Sequence, residues 1–172
     1  MTKIRNAKIE DMQTVARIQI LSWQKAYKGI VPPEHLDYMD FDAHHDRWQT
    51  ILSEDTDKTL FYMISDDAGQ DLGFMHFGPP RHQRAGFDFE LYAMYLHPDV
   101  WGNGHGGWAF TQALIDVRNA GHKNMYVWVL EDNKIGRRFY TKMGGTHIHG
   151  VTETVTIGNQ DIIEVVYGWV SL

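Results

Sequence analysis

Between Ile9 and Trp23 the apolar residues Met12, Val15, Ala16 and Ile18 recur at helical intervals, marking one buried face of a helix. Glu10 and Asp11 fall in its first turn, where carboxylates suit the helix dipole. Gly29 and Pro32-Pro33 interrupt this pattern. A second helical stretch follows with Phe41, His45, Trp48, Ile51 and Leu52. Lys3–Ala7 reads as a short first strand, and Leu60–Ile64 and Leu72–Phe77 as strands joined by the turn Asp66-Asp67-Ala68-Gly69. After a loop from Pro79 to Gly86, Phe89–Leu96 supplies the next strand. A helix from about Gly106 to Asn119 carries Phe110, Ala113, Leu114 and Val117 on one face and closes at Gly121. Met125–Leu130 is continuously apolar, as a strand covered on both faces should be. Asn133 to Met143 is helical and stops at Gly144-Gly145. Thr146–Ile157 and Gln160–Val170 form a hairpin about Gly158-Asn159, a Gly-first pair suited to a type II′ turn.

These elements predict one mixed α/β domain over residues 1–172, with a βαβα segment between residues 89 and 143. A chain of 172 residues with six tryptophans is large and apolar enough to fold around a sizeable core. It shows neither a signal peptide nor an apolar run long enough to cross a bilayer, so a cytoplasmic location without membrane attachment is expected. The absence of cysteine excludes disulfides, thiolate metal sites and a cysteine nucleophile. A net charge of −6 argues against non-specific nucleic-acid binding, which needs a basic face. The acidity is concentrated between Glu34 and Lys58, in Glu34, Asp37, Asp40, Asp42, Asp46, Glu54, Asp55 and Asp57. That run is either a solvated surface or a field that attracts a cationic substrate.

The densest chemical signal lies in residues 90–107, where an apolar strand meets a Pro-Asp turn and four glycines open a helix. Such a turn brings main chain close to a ligand, and the helix after it aims free N–H groups there. A pyrophosphate suits the place. Gly102, Gly104 and Gly107 spell G-x-G-x-x-G, with Glu131 or Asp132 at the distance of a ribose contact, so a dinucleotide site must be weighed. Against it, His97-Pro98-Asp99 separates the strand from the glycines, whereas a Rossmann turn springs directly from the strand end.

The segment resembles the acyl-CoA-binding motif of the GNAT superfamily of acyl-CoA-dependent N-acetyltransferases. Its Gln/Arg-x-x-Gly-x-Gly/Ala core stands here as Trp101-Gly102-Asn103-Gly104-His105-Gly106, after the strand end Tyr95-Leu96-His97-Pro98. The family's downstream Asn, aromatic-Tyr pair and Lys-x-Gly are matched by Asn133, Phe139-Tyr140 and Lys142-Met143-Gly144. Trp101, His105, Gly107 and Gly145 depart from the usual residues; the missing basic side chain at Gly107 throws more of the phosphate neutralisation onto backbone N–H groups. The resemblance covers nearly the whole chain in element order. It implies a central, mostly antiparallel sheet with a splayed parallel strand pair and flanking helices, and a soluble enzyme using acetyl-CoA, with no metal.

On that resemblance, pantetheine lies between Glu90–Leu96 and Met125–Leu130, pairing with main-chain groups of Met94, Tyr95 and Leu96. Trp101 and the N–H groups from Gly102 through Asn103, Gly104, His105 and Gly106 to Gly107 hold the pyrophosphate. Asn133 caps its helix and meets the cofactor, or only caps it. Tyr140 is the general acid toward the leaving thiolate, or a core tyrosine beside Phe139. Glu90 is the general base acting through water, or a strand-end carboxylate satisfied by a neighbouring strand. Arg137 and Arg138 meet the 3′-phosphate or are solvated. Trp23, Tyr27, Phe74 and His76 line the acceptor side or pack the core.

The function so implied is acetyl transfer to a primary amine of a small acceptor, cationic and polyamine-like if the acidic run is a steering field. The alternatives are a non-catalytic acyl-CoA sensor and an acetyltransferase acting on a protein amine. The resemblance also leaves a homodimer open. Ten histidines invite a metal hypothesis, but His44-His45 point apart on a helix, and His147 and His149 lack a third ligand at diagnostic spacing.

Overall fold

A computed structural model describes residues 1–54, 58–81 and 86–172. Asp55 and Asp57 of the acidic run, and residues 82–85 of the loop expected after Pro79, lie outside these described residues. Seven strands form one sheet: β1 (Lys3–Asn6), β2 (Leu60–Ser65), β3 (Asp71–Gly78), β4 (Glu90–Leu96), β5 (Met125–Leu130), β6 (Thr146–Ile157) and β7 (Gln160–Trp169), in the order β1-β2-β3-β4-β5-β7-β6. Every neighbouring pair is antiparallel except β4 and β5. The helices are α1 (Met12–Ala26), α2 (Pro33–Asp37), α3 (Phe41–Glu54), α4 (His105–Asn119) and α5 (Lys134–Lys142).

Helices cover both faces of the sheet, and for that reason its inner strands read as unbroken apolar runs. On β2, Phe61 and Met63 join Met12, Val15, Ile18 and Trp48 in a cluster beneath α1 and α3. Tyr62 and Ile64, one step out of phase, join Phe110, Ala113 and Val117 of α4 in the main cluster on the opposite face. This alternation is the pleat of a strand buried on two sides. Element order and boundaries follow the sequence pattern closely. Two details escaped it: the first helix continues three residues past Trp23, and a short helix, α2, opens with Pro33 at its first position, where a missing N–H costs nothing.

The connection from β4 through α4 to β5 builds the site. The two strands are in register only at Glu90↔Tyr126 and Leu91↔Val127, and then part. Beyond that point β4 keeps its ladder with β3 through Leu96, and β5 keeps its ladder with β7 through Leu130. Each strand therefore turns an unpaired edge toward a V-shaped slot. Gly145, where a bulkier residue is usual in the resembling motif, sits so that an added Cβ would lie 2.8 Å from Trp169. The indole fills that space and donates to the Met143 carbonyl at 2.9 Å.

Candidate active site

At the mouth of the slot, Pro98–Val100 forms a single helical turn, and Trp101 Nε1 donates to the Leu96 carbonyl at 2.9 Å. Gly102 and Gly104 then adopt φ of +81° and +87°, a left-handed conformation that costs any L side chain about 1–2 kcal/mol. The Asn103 N–H is consumed by the Val100 carbonyl, so it is withdrawn from the expected set of donors. Those of Gly102, Gly104, His105, Gly106 and Gly107 have no main-chain acceptor among the described residues. With α4 starting at His105, these five N–H groups and the helix dipole make an anion cradle. The His105 ring turns away from it and pairs with Thr2 Oγ1 at 2.9 Å, so its contribution to the cradle is its backbone. Lys142 lines the same cavity, whereas Arg137 is committed to the Tyr167 hydroxyl and the Glu131 carbonyl. Neither Arg137 nor Arg138 is part of the lining.

The cradle opens into a cavity of about 890 Å³ that runs through the slot to the end of α1. Met94, Tyr95 and Leu96 form one wall, and Val127 to Leu130 the other. The Trp128 indole N–H, buried on that second wall, has no partner among the described residues. Unpaired strand edges and an orphaned donor suit a narrow amide-bearing chain such as pantetheine. At the start of α5, Asn133 Oδ1 accepts from the Gly136 N–H at 3.0 Å while its side chain borders the cavity, so capping and lining coexist. Tyr140 is 8% exposed and lines the same space. Its hydroxyl has no hydrogen-bond partner among the described residues. Burial, with Tyr95 as a secondary influence, raises its pKa far above the usual phenol value. Tyr140 therefore holds its proton more tightly than a free phenol does.

Beyond Tyr140 the cavity becomes polar. Trp23 and Tyr27, from the end of α1, line it as expected, their rings meeting edge-on with centroids 4.9 Å apart. The Tyr27 hydroxyl faces that of Tyr95, and burial pushes both phenols up. The buried Trp23 indole nitrogen lies beside the Tyr95 hydroxyl without hydrogen-bond geometry. His76 reaches the lining while stacked on Phe61 at 4.7 Å. Phe74 does not reach the cavity lining and fits the other reading, core packing: fully buried, it packs against Trp48, Phe61 and Tyr95 beneath α1. It alternates with Met75 across a strand buried on both faces, so apolarity could not tell its direction.

Of the two roles open to Glu90, base or strand-end carboxylate satisfied by a neighbouring strand, its contacts fit the second. It is 0% exposed and lies outside the cavity lining. Its Oε1 accepts from Arg81 Nε, and its Oε2 accepts from the Arg81 N–H and the Tyr126 hydroxyl, each at 2.8–2.9 Å. With both oxygens held, Glu90 anchors Arg81, whose guanidinium lies 4.9 Å over Tyr92 and borders the cavity. Among the ionisable groups of the cavity that the sequence did not place there are Arg47 and Glu54 on α3, Arg81, and Glu164 on β7. Glu164 had a signal, since it interrupts the apolar run Ile162-Ile163-Glu164-Val165-Val166.

Among the described residues no group of three or more His, Asp or Glu is placed to hold a metal ion. His44 pairs with Gln19 Oε1 at 3.0 Å, and His147 stacks on Tyr167 with its ring 4.4 Å from that of His149. No helix among these residues is long and apolar enough to cross a membrane.

The acetyltransferase (GNAT) family model matches residues 18–145. YuaI, an uncharacterised N-acetyltransferase of Bacillus subtilis strain 168, is 30% identical over 133 residues, which span 77% of this chain and 74% of that protein. Among solved structures, the PaiA N-acetyltransferase of Thermoplasma acidophilum in complex with coenzyme A has a TM-score of 0.70 at 21% identity, covering 96% of this chain and 98% of its own. Mutant forms of the spermidine/spermine N-acetyltransferase SpeG from Vibrio cholerae have a TM-score of 0.67 at 13% identity, covering 98% and 94% respectively. At these identities the two structures establish the fold.

Proposed function

Because the chain belongs to the acetyltransferase (GNAT) family, we propose that it moves the acetyl group of acetyl-CoA to a primary amine of a small molecule, by direct attack in a ternary complex. One observation carries this reading: a continuous cavity joins the N–H cradle of Gly102–Gly107 to a polar chamber beside Tyr27 and Tyr95, passing Tyr140 on the way. Such a channel holds diphosphate, pantetheine, thioester and acceptor in one line, which converts a bimolecular attack into a positioned one.

In this reading the five cradle N–H groups neutralise the diphosphate, and the free edges of β4 and β5 take the pantetheine amides. A main-chain N–H near Tyr95 polarises the thioester carbonyl. Tyr140 donates a hydrogen bond to the sulfur as the carbon–sulfur bond breaks. Its raised pKa keeps the phenol protonated, so it stabilises the thiolate chiefly by hydrogen bonding.

The acceptor class is broader than a cationic steering field alone would imply. Glu54 and Glu164 border the cavity, but so do Arg47 and Arg81. Glu34 and Asp40 line a separate groove with His35 and Tyr38. A polyamine is thus one member of the acceptor class, to be ranked against amines that also carry a carboxylate. Thiol release from acetyl-CoA, followed over a panel of polyamines, amino acids, aminoglycosides and a lysine peptide, tests the proposal. Turnover of at least one small amine supports it; coenzyme binding without turnover of any amine would instead indicate a sensor.

A further inference from the structure

Glu164 sits on β7 opposite Leu130, the last residue of β5, where the slot has opened into the polar chamber. Its carboxylate is half-buried, and among the described residues it makes neither a hydrogen bond nor an ion pair. Withdrawing a carboxylate from water without giving it a partner is unfavourable, and the folded chain retains one here. The groups near enough for their charge to act on it are Arg81 from the segment after β3, Glu90 from β4, its ladder partner Glu153 on β6, and the phenols of Tyr27 just after α1 and Tyr95 on β4. Arg81 already has its carboxylate in Glu90. Glu54, the other acid on the cavity wall, is exposed at the end of α3, so Glu164 is left as the half-buried acid in the chamber with capacity to accept.

Resting on the acetyltransferase reading, we propose that Glu164 is the catalytic base that takes a proton from the acceptor amine, and that Glu90 is a positioning residue that holds Arg81. An alkylamine has a pKa of about 10.4 and arrives as an ammonium without a lone pair. Glu164 accepts one N–H proton and later returns it to solvent. The freed pair attacks the thioester carbonyl carbon; a carbon–nitrogen bond forms, the carbon–sulfur bond breaks, and its electron pair leaves on sulfur. The second proton shed by nitrogen passes to solvent, and the sulfur leaves as a thiolate that accepts the Tyr140 hydrogen bond and then takes a proton from solvent. Burial raises the Glu164 pKa, with Glu153 and Glu90 adding to it and Arg81 opposing it. A carboxylate so destabilised is a stronger base than one in water.

The test is the pH dependence of kcat/KM for an amine that the wild-type enzyme acetylates, measured on wild type, Glu164→Gln and Glu164→Asp, with acetyl-CoA binding followed by calorimetry. Wild type should lose activity on the acid side as Glu164 is protonated. Glu164→Gln should bind acetyl-CoA as wild type does, and its kcat/KM at neutral pH should fall by about 10²-fold. It should then recover steadily toward the amine's own pKa, where free amine no longer needs a base. Glu164→Asp should retain part of the acid limb. A Glu164→Gln enzyme with an unchanged profile, or one depressed equally at every pH, overturns the proposal. Absence of turnover in wild type would instead strike the acetyltransferase reading itself.

Discussion

Trp101 Nε1 donates to the carbonyl of Leu96 at 2.9 Å, so the side chain that opens the glycine turn is fastened to the end of the strand it follows. This bond fixes the glycine turn, proposed to hold the diphosphate, relative to the edge of β4 proposed for pantetheine. Trp101→Phe keeps most of the apolar contact and loses the bond, worth about 1 kcal/mol. Affinity for acetyl-CoA should weaken roughly five-fold while kcat changes little. Calorimetry and steady-state kinetics on one preparation read both numbers.

Tyr140→Phe removes a hydroxyl and leaves the ring against Phe110, Phe139 and Trp169. Stability and coenzyme affinity should stay near wild type, and kcat should drop by about 10²-fold. Unchanged turnover in this variant would take the phenol out of the chemistry.

The buried Glu90 carboxylate should reveal itself in stability. Glu90→Gln replaces a charge held by Arg81 and Tyr126 with a neutral amide, one of whose ends faces donors with another donor. Arg81 is itself half-exposed, so the loss should be roughly 2 kcal/mol, below the full cost of breaking a sealed pair. Urea denaturation measures it directly. Because Arg81 borders the cavity, the acceptor KM should rise as well.

Folding should fail first on the alkaline side. The phenols of Tyr27, Tyr62, Tyr95 and Tyr140 are all raised by burial, that of Tyr62 to about 12. A group whose folded pKa lies above its unfolded value stabilises fully below the unfolded value, about 10 for tyrosine, and loses that contribution as pH rises. The Tm should therefore hold level from neutral pH to about 10 and then decline. On the acid side, Arg5 and the Lys8 N–H hold Asp11 below its usual pKa. Its contribution is present above the unfolded value, near 3.9, and fades as pH falls further. Melting curves across pH, with Tyr140→Phe and Asp11→Asn as references, separate the two limbs.

The parts of the site legible in the sequence are those whose function dictates backbone. Gly102 and Gly104 are there for left-handed turns, and their density marked the loop; Asn133, a helix cap, was found by its place in the downstream motif that the chain resembles. Tyr140 became legible through its place in the downstream motif. Side chains that depend on direction were less readable. Phe74 and His76 share one face of β3, both packed against Trp48 and Phe61, yet only His76 reaches the cavity, because distance along the strand, which side-chain alternation does not encode, decides which of them meets it. Glu90 and Glu164 were harder still. Each is a carboxylate within an apolar strand, and what separates them is Arg81, a partner distant in sequence from Glu164 and tied to Glu90 by the fold. Of the two readings of the acidic run, the solvated surface fits most of its described members, which face solvent or a second groove.

The two-residue register between β4 and β5 has a mechanical consequence. One half of the sheet, β1 through β4, and the other, β5 through β7, are stitched to each other at Glu90–Leu91 and Tyr126–Val127 and nowhere further along those strands. A pantetheine chain laid between the loose edges would act as a borrowed strand that seams the halves together. Occupancy by the coenzyme would then slow amide hydrogen exchange along both edges at once, and the sheet would reach its full stiffness when the reaction is about to begin.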